Sequence, residues 1–127
     1  MQGQITTAHC FAGGGGDADG VLRAGYKPIW AIESARNAAA VFRRRFPKCQ
    51  VIEADIRELP DDFFSPLPVP SLYLFGSPCP DFSTAGPRHG LEGLRGSLFY
   101  QGLRPLRLLK IPHFIFENVE GILSSSS

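Results

Sequence analysis

Five short apolar runs punctuate this chain, and each leads into glycine or a residue that can do chemistry. Ile5 to Phe11 runs into "AGGGGDADG", and Pro28 to Ile32 into Glu33. Cys49 to Ile52 is followed by Glu53, Ala54 and Asp55, and Leu72 to Phe75 by Gly76 and "SPCPDFS". "HFIF" ends at Glu117 and Asn118. Runs of this length are strands rather than helices. Between the second and third, Ala35, Ala38, Ala39, Phe42 and Phe46 recur at helical spacing, with Arg36, Arg43 and Arg44 opposite. Ser34 offers an N-cap there, and Pro47 a stop. Asp19 is expected to cap a short helix through Ala24, halted by Gly25. "LPDDFFSPLPVPS" holds four prolines and predicts loop, with one helical turn at Asp61 to Phe64. Gly86 to Gly96 predicts a long loop. A helix is expected from Ser97, with Leu98, Phe99, Leu103 and Leu106 inward and Pro105 kinking or dividing it. Strands alternating with crossovers predict an α/β fold, a mostly parallel sheet with helices on both faces.

Composition narrows the functional classes. A chain of 127 residues is one domain or part of one. A net charge of +1 sets up no strong field toward nucleic acid or membrane, so a DNA partner would need basic surface from elsewhere. Three cysteines at loose spacing form neither a disulfide framework nor a zinc pattern, which fits a reducing compartment and no metal. "MQGQITTAHC" is not a secretion signal, and no apolar run approaches the ~18 residues of a membrane span. Residues 1–123 read as one domain, and Ser124 to Ser127 as a flexible end or truncation point.

In open α/β sheets, ligands sit outside the carboxyl ends of the strands. Glycines after the first strand allow close backbone approach to a ligand, and Glu33 after the second can accept hydrogen bonds from ribose hydroxyls. Gly13, Gly15 and Ala18 also satisfy a G-x-G-x-x-A dinucleotide pattern; a flexible loop with a solvated carboxylate is the plain alternative. Asp55 is either a helix cap or a ligand contact. Cys79 is either a small buried hydrophobe or a nucleophile stiffened by Pro78 and Pro80. Glu117 is either a surface carboxylate or, after so apolar a run, a partly buried acid able to deliver a proton. A thiol nucleophile with such an acid can activate an electron-poor heterocycle, because attack at ring carbon requires charge to be quenched at ring nitrogen.

These residues together resemble the cytosine-C5 DNA methyltransferases. "FAGGGG", from Phe11 through Ala12, Gly13 and Gly15 to Gly16, is similar to the family's cofactor loop. Glu33 matches the acidic ribose ligand, and Asp55-Ile56 the segment whose Asp contacts the adenine. "SPCPDFS", with Pro78, Cys79 and Ser83, resembles the Pro-Cys catalytic loop. "GLEGLRGSLF", with Arg95, is similar to the segment that follows it, and "FENV" carries Glu-Asn-Val. The chain has His9 where the family usually has Asp, and Pro80 where it often has Gln or Asn.

The resemblance implies a Rossmann-like, S-adenosylmethionine-dependent methyltransferase fold. It implies S-adenosyl-L-methionine as cofactor and double-stranded DNA with a flipped cytosine as substrate. It implies Cys79 as nucleophile at C6 and Glu117 as proton donor at N3, with Phe11, Ala12, Gly13, Gly15, Gly16, Glu33, Asp55, Ile56 and Pro78 around the cofactor. Asn118, Ser83 and Arg95 would support the loop or the substrate. The family's Gln-x-Arg-x-Arg motif, target-recognition region and C-terminal motifs are not in the sequence. The chain is therefore expected to be a C-terminally incomplete catalytic domain, inactive alone or reliant on a second chain. A cytoplasmic protein of a bacterium or phage, acting at the nucleoid, is the expected setting. A binding-only relative and an NAD(P)-type oxidoreductase fragment are the competing readings.

Overall fold

The computed structural model of the chain describes residues 5–11, 20, 22–76 and 98–117, with positions 98 and 117 as backbone only. Five strands form one sheet: β1 (Thr6–Cys10), β2 (Lys27–Glu33), β3 (Gln50–Glu53), β4 (Leu72–Gly76) and β5 (His113–Glu117). Every neighbouring pair is parallel, in the order β3-β2-β1-β4-β5. The chain works outward from β1 to β3, then crosses back to place β4 on the other side of β1. The order therefore reverses between β1 and β4, which makes a switch-point crevice at their carboxyl ends.

Alternation along the strands divides the core between the two faces. On one face lie Ala8 and Cys10 of β1, Trp30 and Ile32 of β2, and Tyr73 and Phe75 of β4. They are covered by the 3-10 turn Ile56–Glu58, by α2 (Asp61–Phe64) and by α3 (Leu98–Leu108), through Ile56, Phe64, Leu103 and Leu106. On the other face, α1 (Arg36–Arg45) buries Ala39 and lays Phe42, then Phe46, against Ala31 and Val51. Both faces carry helices, as the alternating pattern requires.

The strand boundaries move by one residue for identifiable reasons. Phe11 is not part of β1; its φ of 63° turns the chain out of the sheet while its N–H donates to the Ile32 carbonyl at 2.8 Å. Cys49 precedes β3 instead of opening it, because its N–H closes the turn after α1 onto the Phe46 carbonyl at 2.9 Å. Residues 20, 22 and 23 are helical, and Gly25 ends that turn with φ 91°, as the expected stop requires.

One expectation is corrected, and of the two outcomes expected at Pro105, kinking or division, division does not occur. Ser34 does not cap α1: Ala35 is the N-cap, and its N–H is bonded at 2.8 Å by the Glu33 carboxylate from the end of β2. Pro105 does not divide its helix. α3 runs unbroken from Leu98 to Leu108 through it. Proline in a helix interior costs about 3 kcal/mol, and here tertiary anchors flank it on the preceding turn. The Tyr73 hydroxyl donates to the Gly102 carbonyl at 2.7 Å, and Arg104 is bound to the segment after β3. Pro105 itself is among the fully buried side chains, so it packs where it cannot donate.

The first of those anchors depends on a glycine. A Cβ on Gly102 would stand 2.8 Å from Phe75 Cδ2 and 3.3 Å from Phe11 Cε2. Only a residue without a side chain lets α3 come this close to the sheet. Phe75 then sits among Tyr73, stacked at 5.1 Å, and Phe116, Phe99 and Phe114 at 5.1–6.3 Å. The proline-rich connection before β4 is held by Trp30, whose Nε1 donates to the Pro68 carbonyl at 2.9 Å.

Candidate functional site

The carboxyl ends of the five strands bring most of the described candidate residues to one edge of the sheet. Cys10 of β1 pairs with Phe75 of β4, Glu33 of β2 with Glu53 of β3, and Gly76 of β4 with Glu117 of β5. The segment carrying Gly13 to Gly16 therefore leaves from one side of the crevice. The segment carrying Cys79 leaves from the other, next to the strand that ends at Glu117. Ala12, Gly13, Gly15, Gly16, Pro78, Cys79, Ser83, Arg95 and Asn118 lie outside the described residues, as does the side chain of Glu117.

Phe11 stands at the mouth of the crevice. A non-glycine residue at positive φ is uncommon and strained, and such residues concentrate where a ligand is clamped. The Phe11–Ile32 bond holds the conformation, and the ring packs over Gly102 against the main core. Glu33 is buried, 7% exposed. Its Oε2 takes the Ala35 N–H, while its backbone carbonyl takes the Ala54 N–H at 3.1 Å. The carboxylate is thereby oriented at the end of β2, and a carboxylate accepts up to about four hydrogen bonds.

Asp55 takes the first of the two roles open to it, that of a cap. It is the N-cap of the 3-10 turn, accepting the Arg57 N–H at 2.9 Å, and its oxygens are bracketed by Arg57 Nε and Nη2 at 2.8–3.3 Å. The hydrogen bonds from Arg57 hold its carboxyl below the usual range, so it remains an ionised acceptor at neutral pH. Ile56 is 1% exposed, with its side chain in the core. It can meet a ligand only through its backbone.

Oriented carboxylates at the ends of β2 and β3 can accept from ribose hydroxyls and from an exocyclic amino group. A nucleoside-containing ligand fits this pair of acceptors. No group of His, Cys, Asp and Glu able to hold a metal ion occurs among the described residues.

Beneath the crevice, Cys10 and Tyr73 form a buried pair. Burial pushes the Cys10 thiol up to about 12, more than its hydrogen bond with Tyr73 pulls it down. Burial raises the Tyr73 hydroxyl well above its ordinary value too. Cys49 is likewise pushed up to about 12 by burial. Both are free thiols that behave as small hydrophobes, not nucleophiles. His9 points to the α1 face, fully buried, with Nε2 at 2.9 Å from Thr7 Oγ1 and its ring 6.0 Å from that of Phe42.

Arg104 is the residue that sequence reasoning missed. Its guanidinium binds Asp61 Oδ1 at 2.8 and 3.1 Å, the Ile56 carbonyl at 3.1 Å, the Leu59 carbonyl and Gln101 Oε1. It also lies over the Phe64 ring. No spacing rule links position 104 to positions 56–61, so nothing local marks it out.

The family profile for C-5 cytosine-specific DNA methylases matches residues 5–127. Over 115 residues, or 90% of the chain, the sequence is 41% identical to the type II methyltransferase M.Sau96I of Staphylococcus aureus. It is 38% identical over 112 residues to M.PspPI of Psychrobacter sp.. The chain spans only about a quarter of these relatives, 27% and 26% of their lengths. The fold is similar to that of a prophage-encoded DNA modification methyltransferase (E. coli), with TM-score 0.73 and 24% identity over 94% of this chain and 33% of that one. It is also similar to Spodoptera frugiperda DNMT2, with TM-score 0.69 and 20% identity over 97% of this chain and 38% of that one.

Proposed function

The chain belongs to the C-5 cytosine-specific DNA methylase family, and from that premise we propose that it is the catalytic, cofactor-side part of a DNA cytosine-5 methyltransferase using S-adenosyl-L-methionine. One observation supports this above the others. The strand order turns at β1 and β4, and Gly76 pairs with Glu117. Three segments of the proposed machinery thus leave the sheet side by side: the glycine loop, the Cys79 loop and Glu117.

In this reading Glu33 receives the ribose hydroxyls, Asp55 the adenine amino group, and Phe11 with the Ala12–Gly16 backbone lines the pocket, beside Ile56 and Pro78. When bound, the cofactor supplies an electrophilic methyl group. The Cys79 thiolate forms a bond from Sγ to C6 of an extruded cytosine. The displaced ring electrons reach N3, where Glu117 delivers its proton. C5 would then be nucleophilic and take the methyl group, the sulfur that carried it keeping the electron pair of the broken bond and leaving as a neutral thioether. Loss of the C5 proton to solvent expels Cys79 as thiolate, and N3 returns its proton to Glu117. Asn118 and Ser83 brace the catalytic loop, and Arg95 supports it or a phosphate.

Residues 1–123 are read as part of the catalytic domain, with Ser124 to Ser127 as a flexible end. No helix among the described residues is long and apolar enough to cross a membrane; the type II relatives favour a bacterial cytoplasmic setting and a role in restriction-modification. DNA target recognition and cytosine holding are assigned to sequence other than these 127 residues, in a longer chain or in a second one.

The test is a covalent trap. A duplex containing 5-fluorocytosine cannot lose a C5 proton, so a competent Cys79 stays bonded to it. With S-adenosylmethionine and a supplied recognition half, an adduct is expected from the wild type and none from Cys79→Ser. Absence of adduct in the wild type under those conditions would sink the catalytic reading in favour of a binding-only relative. The chain alone is expected to transfer labelled methyl groups to mixed-sequence DNA at background rate.

A further inference from the structure

We infer that Arg104 is a positioning residue for the adenine side of the cofactor, an inference that rests on the assignment of Asp55 made above. The Arg104 side chain is 12% exposed, whereas its partner Asp61 is 64% exposed. A desolvated guanidinium must direct its N–H donors to acceptors. Apart from Gln101 on its own helix, every acceptor it takes comes from positions 56 to 61, immediately after Asp55. Two of them, Ile56 O and Leu59 O, are backbone carbonyls at either end of the 3-10 turn. That turn cannot shift without breaking charge-assisted hydrogen bonds, which are stronger than neutral ones.

Asp55 caps the same turn. On its other side, the Ala54 N–H is bonded to the Glu33 carbonyl. Asp55 is therefore held from two directions, by the end of β2 and by α3. Glu33 is part of the first anchor, so Arg104 sets where Asp55 stands relative to the ribose carboxylate. Phe11 meets the same helix at Gly102. α3 thus meets both flanks of the proposed cofactor pocket, at Gly102 through Phe11 and at Arg104 through the 3-10 turn. Lysine cannot replace Arg104 in this role, because a single ammonium does not span acceptors this widely placed.

The test uses the full chain and two ligands, S-adenosylhomocysteine and its inosine counterpart, in which a carbonyl oxygen replaces the exocyclic amino group. Both are titrated by ligand-detected NMR, which reads weak affinities. A carboxylate that accepts from the amino group should make the wild type prefer the adenine ligand by about tenfold. Arg104→Lys is expected to shrink that preference to about twofold while the thermal transition stays cooperative. A role in stability alone would lower the melting temperature and leave the preference intact, and that result in Arg104→Lys overturns the inference. Should Arg104→Lys unfold, Asp61→Ala carries the test, since it removes only the exposed arm. A preference cut by half or more supports the inference, and an unchanged one overturns it. Wild type that binds both ligands equally overturns the role of Asp55 and the inference with it. Wild type that binds neither overturns the cofactor reading itself.

Discussion

The two faces of the sheet are built in different ways. The α1 face is assembled from neighbours in sequence: α1 lies between the two strands it covers, and Ala31, Phe42, Phe46, Cys49 and Val51 close its core within about one crossover. The opposite face gathers Phe11, Ile56, Phe64, Tyr73, Phe75, Phe99 and Gly102 from the whole length of the chain. The first face is a hydrophobic stripe with one local polar pair, His9 and Thr7. The second adds a glycine that must stay bare, a tyrosine bonded to a helix carbonyl and an arginine bonded to a remote turn. This second face borders Phe11 and the turn after Asp55, while Glu33 bonds the start of α1. The α1 face should therefore govern stability, and the α3 face both stability and ligand geometry.

The largest expected effect falls on the simpler face. Phe42→Ala removes a fully buried ring that also contacts His9 and Phe46. A loss of about 3–5 kcal/mol is expected in urea unfolding. Ligand affinity of the fraction still folded should be unchanged; a specific loss of affinity would break the division of labour. Arg104→Ala is expected to cost about 3 kcal/mol, since it strands two carbonyls and a carboxylate around a buried site. Unlike Phe42→Ala, it should also erode the preference for an adenine ligand.

Gly102→Ala sharpens the contrast at lower cost. Alanine gains up to about 1 kcal/mol of helix propensity over glycine, but its Cβ would lie 2.8 Å from a ring carbon of Phe75. A net loss of about 1–2 kcal/mol in chemical unfolding is expected, because overpacking of this kind costs ~1–3 kcal/mol. A stabilised Gly102→Ala would show that the helix can move away from the sheet, against the close approach described.

The two described thiols provide a check that no mutation disturbs. Cys10 and Cys49 are pushed up to about 12. Neither should react with iodoacetamide at pH 8 until denaturant is added, as peptide mass mapping would reveal. Labelling of Cys49 alone in the native state would mark the α1 face as the looser one.

The smallest effect is the pH dependence of the Asp55–Arg57 pair. The folded carboxyl lies below its unfolded value of about 3.9. Its contribution is therefore present above about pH 4 and is lost as pH falls through the lowered folded value. The pair is exposed, with side chains 29% and 50% accessible, so solvent screening holds the effect to about 0.5 kcal/mol or less. Acid unfolding of Arg57→Ala against wild type measures it.

How much of this was legible in the sequence differs along the same division. The five runs, the helical stripe of α1 and the single turn at Asp61–Phe64 follow from local periodicity and turn chemistry. Ser34 was a reasonable cap on residue type, yet the longer Glu33 side chain reaches the Ala35 N–H first. Pro105 follows a rule that holds for an isolated helix, and the packing of α3 overrides it. Asp55 could be read as cap or ligand, and it is a cap with ionised oxygens held in place.

By itself the sequence determined the fold class, the order of strand ends and the membership of a family, because apolar periodicity and contiguous motifs are properties of neighbouring residues. Only the tertiary structure decided that the order turns between β1 and β4, that Gly102 is a point of contact with Phe75 and Phe11, and that Arg104 fastens the turn after Asp55. Those depend on which groups meet between segments far apart in the chain. Burial decides such meetings, since a charged group leaves water only where acceptors from distant segments already converge.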